Sequence, residues 1–470
     1  MAKVSNSFDR RLEEQLELYL KNINTRISIK DKTKEKDITT IKDFIQRTND
    51  IADIMTSEKH RALLAMEREQ IGPVFLRVIK CVDGRDENAI DGENIKVWRI
   101  PAALIQVRKR ADGTLIPEAH QLVQGIRAAA LDPDTELLQL IRPHTSTHTS
   151  HGCGAMKIKK DNGEVNDTDL AMANLRLIQE SSMPAVTTLY NDQRRTRGME
   201  PLKEVSVPLV FDTDDMGVIL NYEGREKGKS IESSKLTLEY KELIEKVVGD
   251  KAVYASMREK YTEPKNYHDF IKRIYFIVEA IFHEKKLRSL RDILTQGIDT
   301  YCPELSAHQK HALMYYIARR IAFQQLTGLA SESSHPHHAH AHHNEDALIV
   351  SRFSKYPGQF DPGKQMFTVS PENMRLANQY ITVVLGIMDH TRPGDKRIVY
   401  LAYPIKEAEA HEQFESYRYA AAFNAQMFTS IIDDSVLGKK FRNGELILIS
   451  MLIDEDSRKV LKILDPSIYI

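Results

Sequence analysis

The sequence predicts an α/β protein, and three observations predict it. From Pro73 onward, short β-branched apolar runs alternate with stretches of helical length. The same alternation starts again at about Ala347, and residues 1–72 show helical spacing with no strand-like run. Together these give a helical N-terminal domain over 1–72, an α/β domain over 73–334 and a second α/β domain over 345–470.

Phe8, Leu12, Leu16, Tyr19, Leu20 and Ile23 recur at helical spacing, as do Ile41, Phe44, Ile45 and Thr48. The lysine-rich stretch Ser28 to Lys36 between them reads as a solvated loop. Ser57 is placed to cap a third helix, which runs through Leu63, Leu64 and Met66 to Gly72-Pro73. After Pro73, strands are predicted at Val74–Ile79, Ile95–Ile100 and Leu137–Ile141, with helices at Glu118–Ala130 and Asp169–Gln179. Val205–Phe211 and Gly217–Leu220 are further strands joined by Asp212-Thr-Asp214-Asp215, and helices dominate from about Leu236 to Leu326. Ser331 to Asn344 carries six of the 17 histidines, His335, His337, His338, His340, His342 and His343, among Ala and Pro with no fixed ligand spacing, and reads as a solvated linker. The last part repeats the pattern, with strands at Leu348–Val350, Ile398–Tyr403, Leu446–Ile449 and Val460–Ile463 and helices through Ile381 and from Phe414 to Phe428.

Bulk properties narrow the classes of function. Lys plus Arg (66) nearly cancels Asp plus Glu (67), so no overall field favours nucleic acid or an acidic membrane. No run approaches the length of a membrane span, and Met-Ala-Lys-Val-Ser-Asn-Ser lacks a signal-peptide core. Three cysteines in so long a chain are no disulfide framework, so the expected setting is cytoplasmic, where grouped cysteines more often bind metal.

Two of those cysteines lie in informative segments. Cys81-Val-Asp83-Gly-Arg85 follows the Val74–Ile79 run, and His151-Gly-Cys153-Gly-Ala follows the strand that ends at Arg142-Pro143-His144. Ligands in such sheets bind at the carboxyl ends of strands. Two thiolates and one imidazole there make a three-ligand zinc site with a fourth position left for water. Arg85 on the same loop would keep Asp83 ionised, and Asp83 would accept the water's hydrogen bond. His144 is the preferred imidazole because it stands at the strand end, with His148 and His151 as competitors. Cys302, in Asp-Thr-Tyr-Cys-Pro-Glu, has no such neighbours and reads as structural.

Cys81-Val-Asp-Gly-Arg85 and Cys153-Gly-Ala-Met resemble the two signatures of the β-class carbonic anhydrases. The usual His-x-x-Cys is absent, since Ser150 stands at that histidine position. The nine-residue step from His144 to Cys153 is similar to that of a divergent branch, the carboxysome shell carbonic anhydrases, and so is the Arg99-Ile-Pro101 strand end. The resemblance implies a zinc enzyme that hydrates carbon dioxide reversibly to bicarbonate, with Cys81, His144 and Cys153 as metal ligands and Asp83 and Arg85 as the catalytic dyad. It also implies a degenerate, ligand-free second copy of the catalytic fold at the C-terminus, a homo-oligomer, and either residence with the carboxysome shell and Rubisco or a free-standing cytoplasmic relative.

Other readings of the same residues are a zinc hydrolase of carbon disulfide or carbonyl sulfide and a non-catalytic zinc scaffold. A phosphotransferase of haloacid-dehalogenase type would use Asp212 and Asp214, with Asp433-Asp434 as its later acidic motif; the plain alternative is an acidic turn between two strands.

Overall fold

The computed structural model describes residues 9–27, 29–80, 94–99, 107–109, 115–117, 135–145, 191–201, 204–212, 217–225, 229–249, 264–328, 347–351, 365–368, 377–379, 381–382, 384–386 and 396–465, at some positions, His144 among them, by their backbone alone. The protein is a mixed α/β structure. Its chain forms two compact units, Glu58–His343 (the central unit) and Met1–Ser57 with Asn344–Ile470 (the C-terminal unit).

In the central unit, α3 (Glu58–Ile71) precedes β1 (Val74–Lys80), β2 (Ile95–Arg99) and a separate antiparallel pair, β3 (Val107–Lys109) with β4 (Leu115–Pro117). Next come β5 (Glu136–Arg142), β6 (His144–Thr145), β7 (Glu204–Asp212), β8 (Gly217–Leu220) and β9 (Ile231–Glu232). The main sheet has the order β2-β1-β5-β7-β8-β9. Its β2, β1, β5 and β7 are parallel, and β8 turns back antiparallel on β7. Every residue of β1 is buried, as expected of a parallel strand covered on both faces.

Helices α4 (Ser233–Glu239), α5 (Lys241–Val248), α6 (Pro264–His283), α7 (Arg288–Tyr301) and α8 (Ala307–Thr327) follow. The first turn of α8 is fixed to the start of β5. Ser306 and Gln309 cap each other reciprocally, Gln309 Nε2 donates to the Leu137 carbonyl at 3.0 Å, and the Ser306 hydroxyl donates to Glu136. From there α8 runs toward the carboxyl edge of the sheet. The 11 residues from Gln309 to Arg320 rise about 16 Å at 1.5 Å each. The strand from Leu137 to Arg142 spans a similar length, at about 3.3 Å per residue.

The C-terminal unit has a sheet of β10 (Ala347–Ser351), β11 (Gln365–Thr368), β12 (Arg397–Ile405), β13 (Leu446–Asp454) and β14 (Val460–Leu464), in the order β11-β10-β12-β13-β14. Its first four strands are parallel and the last antiparallel. Numbered by appearance, both sheets therefore begin 2-1-3-4-5 with the fifth strand reversed (leaving aside the short β3–β4 pair and the β6 extension). Helix α9 (Glu415–Asp433) packs on β12 and β13, and α10 (Leu437–Asn443) on β13. Phe423 of α9 meets Tyr403, whereas Phe44, from early in the chain, stacks on Tyr400, ring centroids 3.9 Å apart. Tyr400 and Tyr403 lie on opposite faces of the strand, so the unit has three layers.

The covering layer comes from the start of the chain. Helix α1 (Arg10–Arg26), capped by the Asp9 carboxylate, buries Leu12, Leu16, Tyr19, Leu20 and Ile23, and α2 (Glu35–Thr56) buries Ile41, Phe44, Ile45, Ile51 and Ala52. Their polar side chains meet the backbone of β14, an edge strand. Gln15 accepts from the Ile463 amide at 2.9 Å, Asn49 from the Val460 amide at 2.8 Å, and Arg11 donates to the Leu461 carbonyl at 3.2 Å. An edge paired in this way offers fewer free groups for another strand to join.

The described part of the loop, 29–36, is largely exposed, yet anchored rather than simply solvated. The Lys30 amide donates to the Arg442 carbonyl at 3.0 Å, and Lys396 bridges Asp31 and Asp37 at 3.3 Å each. Gly444 ends α10 at φ 79°, and a Cβ there would come within 2.1 Å of the Asp31 carbonyl oxygen. Gly444→Ala is accordingly expected to destabilise the protein by more than about 1 kcal/mol in urea unfolding. Ser57 stands immediately before α3, and its hydroxyl donates to the Ile54 carbonyl at the end of α2 (2.6 Å).

Candidate functional site

The carboxyl edge of the central sheet is where the sequence leads one to expect metal ligands. β1 ends at Lys80, one residue before Cys81, and β5 ends at Arg142, two residues before His144. Lys80 and Arg142 are register partners on adjacent parallel strands. His144 continues in β6, where it pairs with Phe211 of β7. The backbone thus brings the position before Cys81 and His144 to one edge of one sheet. Cys81, Asp83, Arg85, His148, His151 and Cys153 lie outside the described residues, as do the expected helices at 118–130 and 169–179 and the histidines of 335–343. Among the described residues, no group of three or more His, Cys, Asp or Glu side chains is placed to hold a metal.

The described side chains of this edge are basic and buried. Lys80 and Arg142 are 1% exposed and Arg320 0%. The Phe211 ring lies under both guanidiniums, with Arg142 Cζ and Arg320 Cζ each 5.0 Å from its centroid. Desolvated cations held against an aromatic face gain electrostatically from the ring quadrupole. Arg320 was missed by sequence reasoning. The available signal was an Arg319-Arg320 pair inside a helix with buried residues on every side, where charge is rare unless it has a task. Lys80 and Arg142 carried a similar signal, as charged ends of apolar strands one residue before Cys81 and two before His144.

Asp212, fully buried, is the last residue of β7 and pairs with Gly217 of the antiparallel β8, while Asp214 and Asp215 lie outside the described residues. Asp454 stands at the same point of the second sheet, at the end of the fourth strand before the antiparallel fifth. Its carboxylate accepts from the Glu407 amide at 3.0 Å and the Ser457 amide at 2.6 Å. Burial pushes this carboxyl up, but the hydrogen bonds from Ser457, Glu407 and Asp456 outweigh it and hold Asp454 below the ordinary carboxylate range. A lowered folded value means stability that is present above about pH 4 and lost as pH falls through that value. The stability gap between wild type and Asp454→Asn, measured by denaturant unfolding, is expected to be widest near neutrality and to close in acid.

The Asp433-Asp434 motif lies at a helix end. Asp433 closes α9, and the Asp434 carboxylate accepts from the amides of Val436 and Leu437 at 2.8 and 2.9 Å, turning the chain into α10. Cys302 caps the end of α7, 3% exposed, and burial, helped by Glu304, pushes its thiol up to about 12. A thiol so protonated is a poor nucleophile and metal ligand.

Comparison with protein-family models and with curated proteins found no match. Among the described residues no helix is long and apolar enough to cross a membrane.

Proposed function

We propose that the protein is a zinc-dependent carbonic anhydrase that interconverts carbon dioxide and bicarbonate, with the central unit catalytic and the C-terminal unit a ligand-free second copy of the same fold. The observation that carries this reading is the shared carboxyl edge, where β1 leads into Cys81 and the adjacent β5–β6 delivers His144. The common strand order of the two sheets supports a duplicated fold. A homo-oligomer, associated with a carboxysome shell and Rubisco or free-standing in the cytoplasm, is part of the same proposal.

Cys81, Cys153 and His144 would hold the zinc. Two thiolates and one imidazole suit that metal and leave a position for water, and a zinc ion held there supplies the Lewis acidity that lets water lose a proton near neutral pH. Asp83 accepts the hydrogen bond of the attacking oxygen and so aims its lone pair at the carbon of carbon dioxide. Arg85 keeps Asp83 charged and in place. When the new C–O bond has formed, bicarbonate departs and the proton released passes to bulk buffer.

Metal analysis and stopped-flow carbon dioxide hydration on the full chain test this. Wild type is expected to carry zinc and to be active, and Cys81→Ser to lose both. In a scan of His144→Ala, His148→Ala and His151→Ala, only the first is expected to lose zinc. Zinc retained without hydration would leave a scaffold, and turnover of carbonyl sulfide or carbon disulfide in its place would leave the related hydrolase. Magnesium-dependent phosphatase activity that survives Cys81→Ser but not Asp212→Asn would overturn the reading altogether.

A further inference from the structure

We infer that Asp212 is a positioning residue: its carboxylate ties down the chain that leaves β6 and leads to Cys153, as Asp454 ties down the chain that leaves β12. That the tied chain carries a zinc ligand rests on the carbonic anhydrase reading. The two sheets match residue for residue at this place. Leu137 of β5 pairs with Glu204 of β7, and eight residues on, Thr145 of β6 pairs with Asp212. In the second sheet Arg397 of β12 pairs with Leu446 of β13, and eight residues on, Ile405 pairs with Asp454. The preceding strands agree, since Lys80 pairs with Arg142 as Ser351 pairs with Ala402. The returning strands agree too: Phe211 pairs with Val218 and Ile453 with Val460, seven residues apart in each case. Both strand ends read Asp-x-Asp, as Asp212-Thr-Asp214 and Asp454-Glu-Asp456.

What the repeated aspartate does is visible at Asp454. One carboxylate oxygen accepts from the Glu407 amide at 3.0 Å, two residues past the end of β12, and the other from the Ser457 amide at 2.6 Å, in the turn after β13. A single buried carboxylate thus fastens the chain leaving one strand to the turn leaving its neighbour. Carried over by register, Glu407 corresponds to Thr147, within the step from His144 to Cys153. Asp212 is 0% exposed and has partners within the protein, as a buried carboxylate requires. The expected ligand His144 corresponds by the same register to Pro404, whose side chain has no donor atom for a metal. The aspartate is therefore present where the ligand is not, so its shared task is to hold chain rather than metal. In the central unit that chain has to present Cys153, and groups that orient metal ligands set affinity by about 10–100-fold.

Hydrogen exchange of the full chain, stripped of metal by a chelator, reads the tie directly. Amides of 146–153 are expected to exchange about tenfold faster in Asp212→Asn than in wild type, the scale of one lost hydrogen bond to a charged group. Asp212→Ala is expected to exchange faster still there, with β5 and β7 amides unchanged in both variants. Asp454→Asn is expected to do the same to 406–409 and to leave 146–153 alone. Chelator competition then reads the consequence, with zinc binding expected to weaken about 10–100-fold in Asp212→Asn and not at all in Asp454→Asn. Unchanged exchange at 146–153 in a folded variant, acceleration spread evenly over β5 and β7, or faster exchange with undiminished zinc affinity would overturn the inference. Two variants keep the test decisive should one not fold. The outcome is separable from the enzymatic proposal. A wild type that binds no zinc, or binds it without hydrating carbon dioxide, would sink the carbonic anhydrase reading while the exchange data still decide the tie. Hydration with wild-type exchange and zinc affinity in both Asp212 variants would sink only the inference.

Discussion

Arg319→Met is expected to destabilise the central unit by about 3–5 kcal/mol, the scale for breaking a buried ion pair from one side. Arg319 Nη1 lies 2.6 Å from Glu67 Oε1, with the two side chains 3% and 0% exposed. The Tyr315 hydroxyl approaches the same carboxylate at 3.4 Å, and its own ionisation is pushed well up, by burial first and then by the Glu67 charge. The substitution removes the guanidinium and leaves a carboxylate with very little solvent around it. Combining it with Glu67→Leu is expected to recover most of the loss, since a packed apolar pair in such a place is often as stable as the ionic one. Urea unfolding of the four members of this cycle measures the coupling. Equal losses in Arg319→Met and the double variant would show that packing, not charge, holds α3 to α8.

Deleting residues 1–27 is expected to unfold the C-terminal unit. Helix α1 buries Leu12, Leu16, Tyr19, Leu20 and Ile23 in that unit. At about 1.5–3 kcal/mol per side chain, the loss is on the order of 10 kcal/mol, comparable with the about 5–15 kcal/mol that holds a typical domain together. Polar losses add to it. The Tyr19 hydroxyl donates to the Leu448 carbonyl, Asn22 reaches Asp465 at 2.7 Å, and Gln15 and Arg11 serve β14. Hydrogen exchange of β13 and β14 amides reports the result. Protection unchanged after the deletion would mean that the sheet stands without its first helix.

Much of the fold was legible, and for a definite reason. β1, β5, β12 and β13 are parallel strands buried on both faces, so they read in the sequence as continuous apolar runs. Helices α1 to α3 have one buried stripe each and show it as periodicity. Where α1 and α2 would dock was not legible. Gln15 and Asn49 meet the backbone of β14 more than 400 residues away, and a single polar side chain on a helix carries no mark of its distant partner. Helix α8 hid its role because burial on all sides leaves no stripe to read. At the site, His144 could be placed at a strand end from the Leu137–Ile141 run, and it stands in β6. The two acidic motifs had the composition of metal or phosphate sites; Asp212 ends a strand paired with the antiparallel β8, and Asp433 ends a helix. Short acidic patterns do not say which of these they are, because a turn and a catalytic loop ask for similar residues.

A unit assembled from both ends of the chain also imposes an order on synthesis. When α1 and α2 leave the ribosome, the sheet they cover has not been made, and Glu58–His343 must be translated first. At about 5–20 residues per second, with β14 ending some 400 residues after α2, the helices wait roughly 20–80 s with their apolar stripes uncovered. A chaperone able to hold an amphipathic helix would find its longest opportunity there. The central unit, continuous in sequence, can complete itself in that interval, so helices made before it find their place after it.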